Sequence, residues 1–372
     1  MAEPAAKRIK LSHSLNFHEG LFLAPMVRCG TLPTRLLALD YGASLVWGPE
    51  TVDRAIIGSE RVVNSKTGVI QYQKNGKSIW ETHPVEKERL IYQIGSSDPE
   101  LALKAARTVE ADVSGIDLNC GCPKDFSLKG GMGAALLKTP DKLCEILDTL
   151  VRGLKVPISA KIRLLSSQEG TLALVRQIAQ TGISCLTVHC RTQEMRSREP
   201  ALLDRLKEVV DTMNDFGVPV VANGDCWGTK DKDRICKITG VTSIMIARGA
   251  EANPSCFQSS GKLLDPIEEV IPRYARVALF TANHFPNAKY CINAMDLSAT
   301  WKPPEPGIKA KRQDIRTTLS RLKGYEGLCE LFGVDYEKAK EEDLADILPG
   351  LSERLQAENR EIERETQEDL TQ

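Results

Sequence analysis

Residues Pro157–Arg191 read PISAKIRLLSSQEGTLALVRQIAQTGISCLTVHCR. Two short β-rich apolar runs, Pro157–Arg163 and Cys185–Arg191, flank an amphipathic stretch, Glu169–Thr181. Strand, helix, strand in this spacing is the unit of a parallel sheet, because parallel neighbours need a crossover of a dozen or more residues. The unit recurs in both directions. Leu21–Pro25, Ser44–Trp47, Leu90–Gly95 and Gly115–Asn119 precede it, and Pro219–Asn223 and Ser243–Arg248 follow. Pro99–Glu110, Pro140–Arg152 and Ala201–Asp215 supply further amphipathic helices. Doubly wound sheets alternate in the same way, so it is the count of eight strands that favours a closed barrel. The expected fold is α/β: a (β/α)8 TIM barrel over residues 17–260, followed by a smaller C-terminal helical domain.

Two segments depart from the alternation. Glu60–Pro84 reads as a hairpin inserted before the third barrel strand, with Lys74-Asn75-Gly76 as its turn. After about Gly261 the pattern is helical, broken by Lys302-Pro-Pro-Glu-Pro-Gly307, which sets the helical domain at 261–345. Within it Lys302, Lys309, Lys311, Arg312, Arg316, Arg321 and Lys323 face only Glu305 and Asp314 in sequence. That run is either a polyanion-binding face, with Arg312 and Arg316 at its centre, or a solvated helix surface. Residues 346–372 are expected to be a charged acidic tail, its last ~20 residues a frayed helix or disordered. Residues 1–16 form a disordered basic tail. Its cluster Lys7, Arg8, Lys10 is either a nuclear import signal or incidental charge.

Length and composition bound the rest. The 372 residues, 42% of them hydrophobic, suffice for a barrel of about 250 residues and a second domain. No apolar run approaches the ~20 residues of a membrane span, and no secretory signal opens the chain. The eleven cysteines, an odd and scattered set, are therefore expected to be reduced thiols of a cytoplasmic or nuclear protein. Cys144, Cys236 and Cys329 fall in helix-like stretches and read as small core residues. The net charge of −1 conceals an asymmetry: Glu337–Gln372 carries −7, leaving +6 on the remainder. A mildly basic body can bind polyanions through local patches.

Barrel chemistry sits at the C-terminal ends of the strands. The first strand ends Ala24-Pro25-Met26, the third carries Gln93, and the fourth ends Asn119-Cys120-Gly121-Cys122-Pro123. Lys161 and Arg163 on the fifth, and His189 and Arg191 on the sixth, are two apart and so share a face. The seventh ends Asn223-Gly224-Asp225 and the eighth Ala247-Arg248-Gly249. Loops after the last two strands often hold phosphate, and a lysine deep in the ring suits a cofactor that becomes anionic on reduction. These features fit FMN better than a dinucleotide, and no GxGxxG follows a strand. Cys120 and Cys122 lack a second ligand pair, so no metal site is expected.

The most informative local segment is Asn119-Cys-Gly-Cys-Pro-Lys-Asp-Phe-Ser-Leu-Lys-Gly-Gly-Met-Gly-Ala-Ala-Leu-Leu137. By position alone Cys122 is either a reactive group under a glycine-rich loop or a buried thiol. The segment resembles the tRNA-dihydrouridine synthases. Asn119, Gly121-Cys122-Pro123, Gly130-Gly131, Gly133 and Leu136 match the family signature around its catalytic cysteine. Ala24-Pro25-Met26, Gln93, Lys161, Arg163, His189, Asn223-Gly224 and Ala247-Arg248 match its flavin-binding strand ends. The run Ala24–Arg35 looks like the eukaryotic class that acts on D-loop uridine 20, in a fungal-like form without a double-stranded-RNA-binding domain.

The resemblance implies reduction of a tRNA uridine to 5,6-dihydrouridine with FMN, and NADPH as reductant. Cys122 would be the acid that protonates C5, a role that needs a protonated thiol. Ala24, Pro25, Met26, Gln93, Lys161, His189, Asn223, Gly224, Ala247 and Arg248 would hold the cofactor. Asn119, Arg163, Arg312 and Arg316 would contact substrate. The target base must be flipped out of the folded RNA. The chain is expected to act as a monomer, with tRNA as partner and no membrane. One departure is Cys190, where many relatives carry glycine; it is compatible if its side chain points away from the flavin. A flavin-dependent reductase of a small free pyrimidine and a non-catalytic tRNA-binding scaffold are the competing readings.

Overall fold

The computed structural model describes residues 15–300, 306–358 and 360. The basic cluster at Lys7, Arg8 and Lys10, together with Lys302 and Glu305, lies outside them. Twelve strands are present among the described residues: β1 (Gly20–Leu23), β2 (Leu45–Trp47), β3 (Thr51–Val52), β4 (Glu60–Val63), β5 (Ile70–Lys74), β6 (Lys77–Thr82), β7 (Leu90–Gly95), β8 (Gly115–Cys120), β9 (Ile158–Arg163), β10 (Cys185–His189), β11 (Val220–Asn223) and β12 (Ser243–Ile246). Parallel pairing runs β1–β2–β7–β8–β9–β10–β11–β12 and returns to β1, which closes an eight-stranded barrel. Each of the eight runs read from the sequence overlaps one of these strands, with bounds that differ by a few residues at most.

The period of two sorts side chains between a barrel interior and a surrounding shell. Phe22, Leu45, Trp47, Ile91, Cys185, Val221 and Met245 form an apolar floor inside the barrel, with Phe17 packed beneath. Two residues further along the strands the interior turns polar, with Gln93, Asp117 and Ser159. Outward-facing residues such as Leu118, Ala160, Ile162 and Val188 pack against the helices. Cys120 and Cys190 belong to this outer set, so neither points into the barrel.

The insertion before β7 is larger than a hairpin. β4, β5 and β6 form a three-stranded antiparallel sheet. Its β5–β6 turn places Asn75 at φ 52° and Gly76 at φ 71°, the conformation that an Asn-Gly turn favours. Arg35, in the helix Leu32–Asp40, donates to the Glu81 carbonyl of β6 and makes a buried ion pair with Glu86 in the turn that follows it.

The C-terminal helices Ile271–Phe280, Phe285–Ala294, Ile308–Arg321 and Tyr325–Leu331 stack beside the barrel. The segment expected to be a tail from 346 is packed as far as 358. Ile347, Leu348 and Leu351 are buried, the Leu351 amide donates to Asp40 Oδ1, and Arg354 donates to the Ala43 carbonyl. Arg89 pairs with Glu358. An apolar stripe inside a highly charged stretch thus docks the helix onto the barrel, which average composition conceals. Among the described residues no helix is long and apolar enough to cross a membrane.

Candidate functional site

At the C-terminal mouth of the barrel, Pro25, Val27, Glu50, Gln93, Asn119, Cys122, Lys161, Arg163 and His189 line a cavity of about 170 Å³. Strand register explains the convergence. Asn119 is level with Lys161, and Arg163 is level with His189, which is level with Asn223.

Cys122 is set by the chain around it. Asn119 Oδ1 accepts from the Gly121 and Cys122 amides at 2.9 and 3.1 Å, curling the strand end back on itself. The Cys122 carbonyl accepts from Ala134 N at 3.0 Å, which folds the glycine-rich loop over it. Gly133 has φ 59°, and a Cβ there would sit 2.6 Å from the Cys122 carbonyl oxygen. Only glycine meets both demands. Burial pushes the Cys122 thiol up from its ordinary value, and the nearby Glu50 carboxylate adds to the shift. The thiol is therefore protonated at neutral pH.

Charge at the other wall has the opposite sign. Lys161 lies deep in the ring and makes no side-chain hydrogen bond among the described residues. Burial and the neighbouring Arg163 lower it to about 8, with Asp117 pulling the other way. Arg163 donates to the Gly121 carbonyl at 2.7 Å and the Thr192 carbonyl at 3.0 Å. Burial, then the charges of Lys161, Arg163, Arg191 and Arg248, drive His189 down to about 2. The neutral ring faces Arg191 Nη1 through Nε2 at 3.3 Å. An arginine can only donate, so the ring proton is assigned to Nδ1. Gln93 Nε2 donates to Asp117 Oδ2 at 2.8 Å, and Ser159 Oγ to Asp117 Oδ1 at 2.6 Å. The carbonyl of Gln93 is left to accept from a ligand.

Beside the cavity, Asp225 is shared by two guanidinium groups. It accepts from Arg191 and, at 2.6 Å, from Arg248 Nη2, and also from the Ala201 amide. Two cations on one carboxylate leave a positive excess. Gly224, at φ 132°, keeps this corner open: a Cβ there would meet the Ala201 side chain at 3.0 Å. Asn223 donates to the Met245 carbonyl at 2.9 Å and holds the last strands in register. These residues fit a flavin with a phosphate. A buried cation without a fixed partner lines the cavity, and a cationic corner lies at the last two strand ends.

Pro25, Gln93, Asn119, Cys122, Lys161, Arg163 and His189 therefore meet in one cavity, with Asn223, Gly224, Ala247 and Arg248 at the same end. Ala24 instead closes the barrel through its amide to the Ile246 carbonyl at 2.9 Å. The Met26 carbonyl accepts from Gly30 at 2.7 Å, a turn contact.

Arg316 is elsewhere and differently engaged. Its guanidinium donates to the carbonyls of Ile292, Asn293 and Met295, capping the C-terminus of the helix Phe285–Ala294. It is a helix-packing residue. Arg312, like Arg316 on the helix Ile308–Arg321, is half-buried, whereas Lys309, Lys311, Arg321 and Lys323 are exposed.

The sequence reading missed Glu50, Asp117, Ser159 and a role for Asp225. Asp117 was within reach, because it lies two residues before Asn119 on the same strand face. Glu50 follows β2 in an ordinary-looking Gly-Pro turn, with nothing local to mark it. Its buried Oε1 has no hydrogen-bond partner among the described residues. Burial pushes its carboxyl up, against the pull of Cys122 and Asn119. Among the described residues no group of three or more His, Cys, Asp or Glu is placed to hold a metal ion.

The model of the dihydrouridine synthase (Dus) family matches residues 22–297. The chain is 43% identical over 346 residues to the tRNA-dihydrouridine(20) synthase [NAD(P)+] of Schizosaccharomyces pombe, covering 91% of this chain and 69% of that protein. It is 41% identical over 298 residues to the Saccharomyces cerevisiae protein of the same description, covering 73% and 76%. The S. cerevisiae tRNA-dihydrouridine(20a/20b) synthase [NAD(P)+] is 34% identical over 235 residues, covering 63% and 60%.

Proposed function

The chain belongs to the dihydrouridine synthase family, and on that footing we propose that it reduces the uridine at D-loop position 20 of tRNA to 5,6-dihydrouridine, using FMN and NADPH. The observation that carries the reading is the convergence of Cys122, Lys161, Arg163 and His189 on one cavity at the barrel mouth.

A flavin held in the cavity would supply the hydride for C6 of the uracil. Everything else falls to the chain. Cys122 donates its proton to C5, so the two hydrogens of the product come from different donors. General-acid work of this kind contributes about 10²–10⁴ in rate. The thiolate left behind lies near Lys161 and Arg163, whose charges favour it. Lys161 also offers a cation to the electron-rich flavin. Gln93 and His189, through Nδ1–H, would offer it an acceptor and a donor. Asn223, Gly224, Ala247 and Arg248 would hold its phosphate, with Arg191 behind them. Asn119 shapes the loop that carries Cys122, and Arg163 reaches the uracil carbonyls.

The reading includes a monomeric enzyme with tRNA as its partner. It includes residence in the cytoplasm, the nucleus or both, with Lys7, Arg8 and Lys10 as the import element. The test is position-resolved mass spectrometry of tRNA from cells lacking the protein, with and without its return. Loss and rescue of dihydrouridine at position 20 is the expected result. In the purified protein, Cys122→Ala should keep bound flavin and lose most product. Unchanged dihydrouridine at every position, or full activity without Cys122, would overturn the reading.

A further inference from the structure

The loop after β1 carries an unusual residue. Arg28 has φ 71°, in the left-handed region that a long side chain rarely adopts. The conformation is held from outside. The Arg28 carbonyl accepts from Asn287 Nδ2 at 2.8 Å and lies 3.5 Å from Cys291 Sγ, both on the helix Phe285–Ala294. Asn287 is itself fixed, because its Oδ1 accepts from Thr31 Oγ1 and Asn283 Nδ2, each at 3.1 Å. The helical domain thus holds a strained barrel loop in place.

The strain serves the placement of one side chain. The Arg28 guanidinium lies 5.4 Å over the ring of Tyr290, on the same helix as Asn287. Both residues are exposed, Tyr290 at 41%. An exposed arginine on an exposed ring adds little to stability, so the pair does not explain the strained backbone. Position does. Val27, the preceding residue, is 59% exposed and lines the cavity that holds Cys122. The pair therefore stands at the rim of the cavity, where barrel and helical domain meet.

A uridine that enters the cavity leaves its stack, and so do its neighbours in the strand. The rim must then offer a ring face for a base and a cation for a phosphate. Resting on the tRNA reading above, we propose that Arg28 and Tyr290 bind the nucleotide next to the target uridine. Tyr290 stacks on its base and Arg28 engages its phosphate. The uridine is then selected by its neighbour as well as by the cavity.

The test uses flavin-loaded, full-length protein and two tRNAs with an abasic residue on one side or the other of the target uridine. Tyr290→Ala and Arg28→Gly should each raise KM for intact tRNA about tenfold, the size of one lost base–aromatic stack, with much smaller changes in kcat. Tyr290→Phe keeps the ring and should restore KM. One abasic tRNA should show the same rise with the parent protein and no further rise with Tyr290→Ala. Arg28→Gly separates function from structure, because glycine relieves the strain. A purely structural Arg28 would leave KM unmoved. Unmoved KM in both variants, or abasic and Tyr290→Ala losses that multiply, would overturn the proposal. A parent protein that makes no dihydrouridine on intact tRNA would overturn the tRNA reading and this platform with it, a result distinct from an active parent with indifferent variants.

Discussion

Replacing Arg35 by methionine tests the buried clamp beneath the mouth. Arg35 gives Nε to Glu86 Oε2 at 2.9 Å and Nη2 to Glu86 Oε1 at 2.7 Å, with 1% and 0% of the two side chains exposed. The same guanidinium donates to the Gly30 and Glu81 carbonyls at 2.9 and 2.8 Å, and Thr82 Oγ1 donates to Glu86 at 2.8 Å. The clamp joins the helix Leu32–Asp40, the inserted sheet and the loop that begins at Pro25. Arg35→Met keeps much of the volume but leaves a buried carboxylate with only the Thr82 hydroxyl. Removing one partner of a buried pair costs about 3–5 kcal/mol. At ~2.1 cal/mol/K of unfolding entropy per residue, a chain of this length loses about 5 °C from its thermal midpoint. Glu86→Leu alone should cost less, because the guanidinium keeps its two carbonyls. The double variant removes both charges, and an apolar replacement of a buried pair is often close to neutral. Urea denaturation of the four proteins checks the cycle. The double variant should be more stable than Arg35→Met. If it is less stable and the losses simply add, the clamp is not acting as a buried pair.

Three further outcomes follow from the site. Flavin affinity, measured by fluorescence titration, should fall as pH climbs through about 8, because Lys161 loses the charge that favours an anionic ligand; a flat affinity from pH 7 to 9 would remove Lys161 from the cofactor's surroundings. Gly133→Ala and Gly76→Ala both carry the backbone penalty of a positive φ, but only the Gly133 Cβ meets the Cys122 carbonyl, and the Gly76 Cβ meets nothing within 4 Å. Dihydrouridine formation should therefore collapse in the first and persist in the second. Arg316→Ala should lower the thermal midpoint by loosening the cap on Phe285–Ala294, whereas Lys309→Glu with Lys311→Glu should weaken tRNA binding and flatten its salt dependence. Equal effects of the two changes on stability would mean that the exposed lysines are structural as well.

Legibility from the chain followed physical range. The barrel strands were readable because their alternation is local, and period two then carried Lys161 with Arg163 to one face, whereas Arg191 lies past the end of β10 and meets His189 through a turn. The same period places Asp117 two residues before Asn119 on that face, but no motif marks a lone carboxylate there. The insertion was read as a hairpin because only the β5–β6 turn carries a local signal. β4 joins through register with β5, and its exposed pattern marks no core face. Charge counting cannot rank the members of the basic run, for a different reason. Arg316 and Lys311 contribute equally to a basic run, yet one guanidinium is engaged by three carbonyls at a helix end and the other side chain is exposed. Glu50 and Asp225 mark the limit. Each acquires its role from partners on other strand ends, distant in sequence, Glu50 from Asn119 and Cys122 on β8 and its loop, and Asp225 from arginines after the neighbouring β10 and β12. A site assembled from strand ends is legible where its residues repeat the strand's own period. It is opaque where a side chain's role comes from partners that other strand ends bring to it.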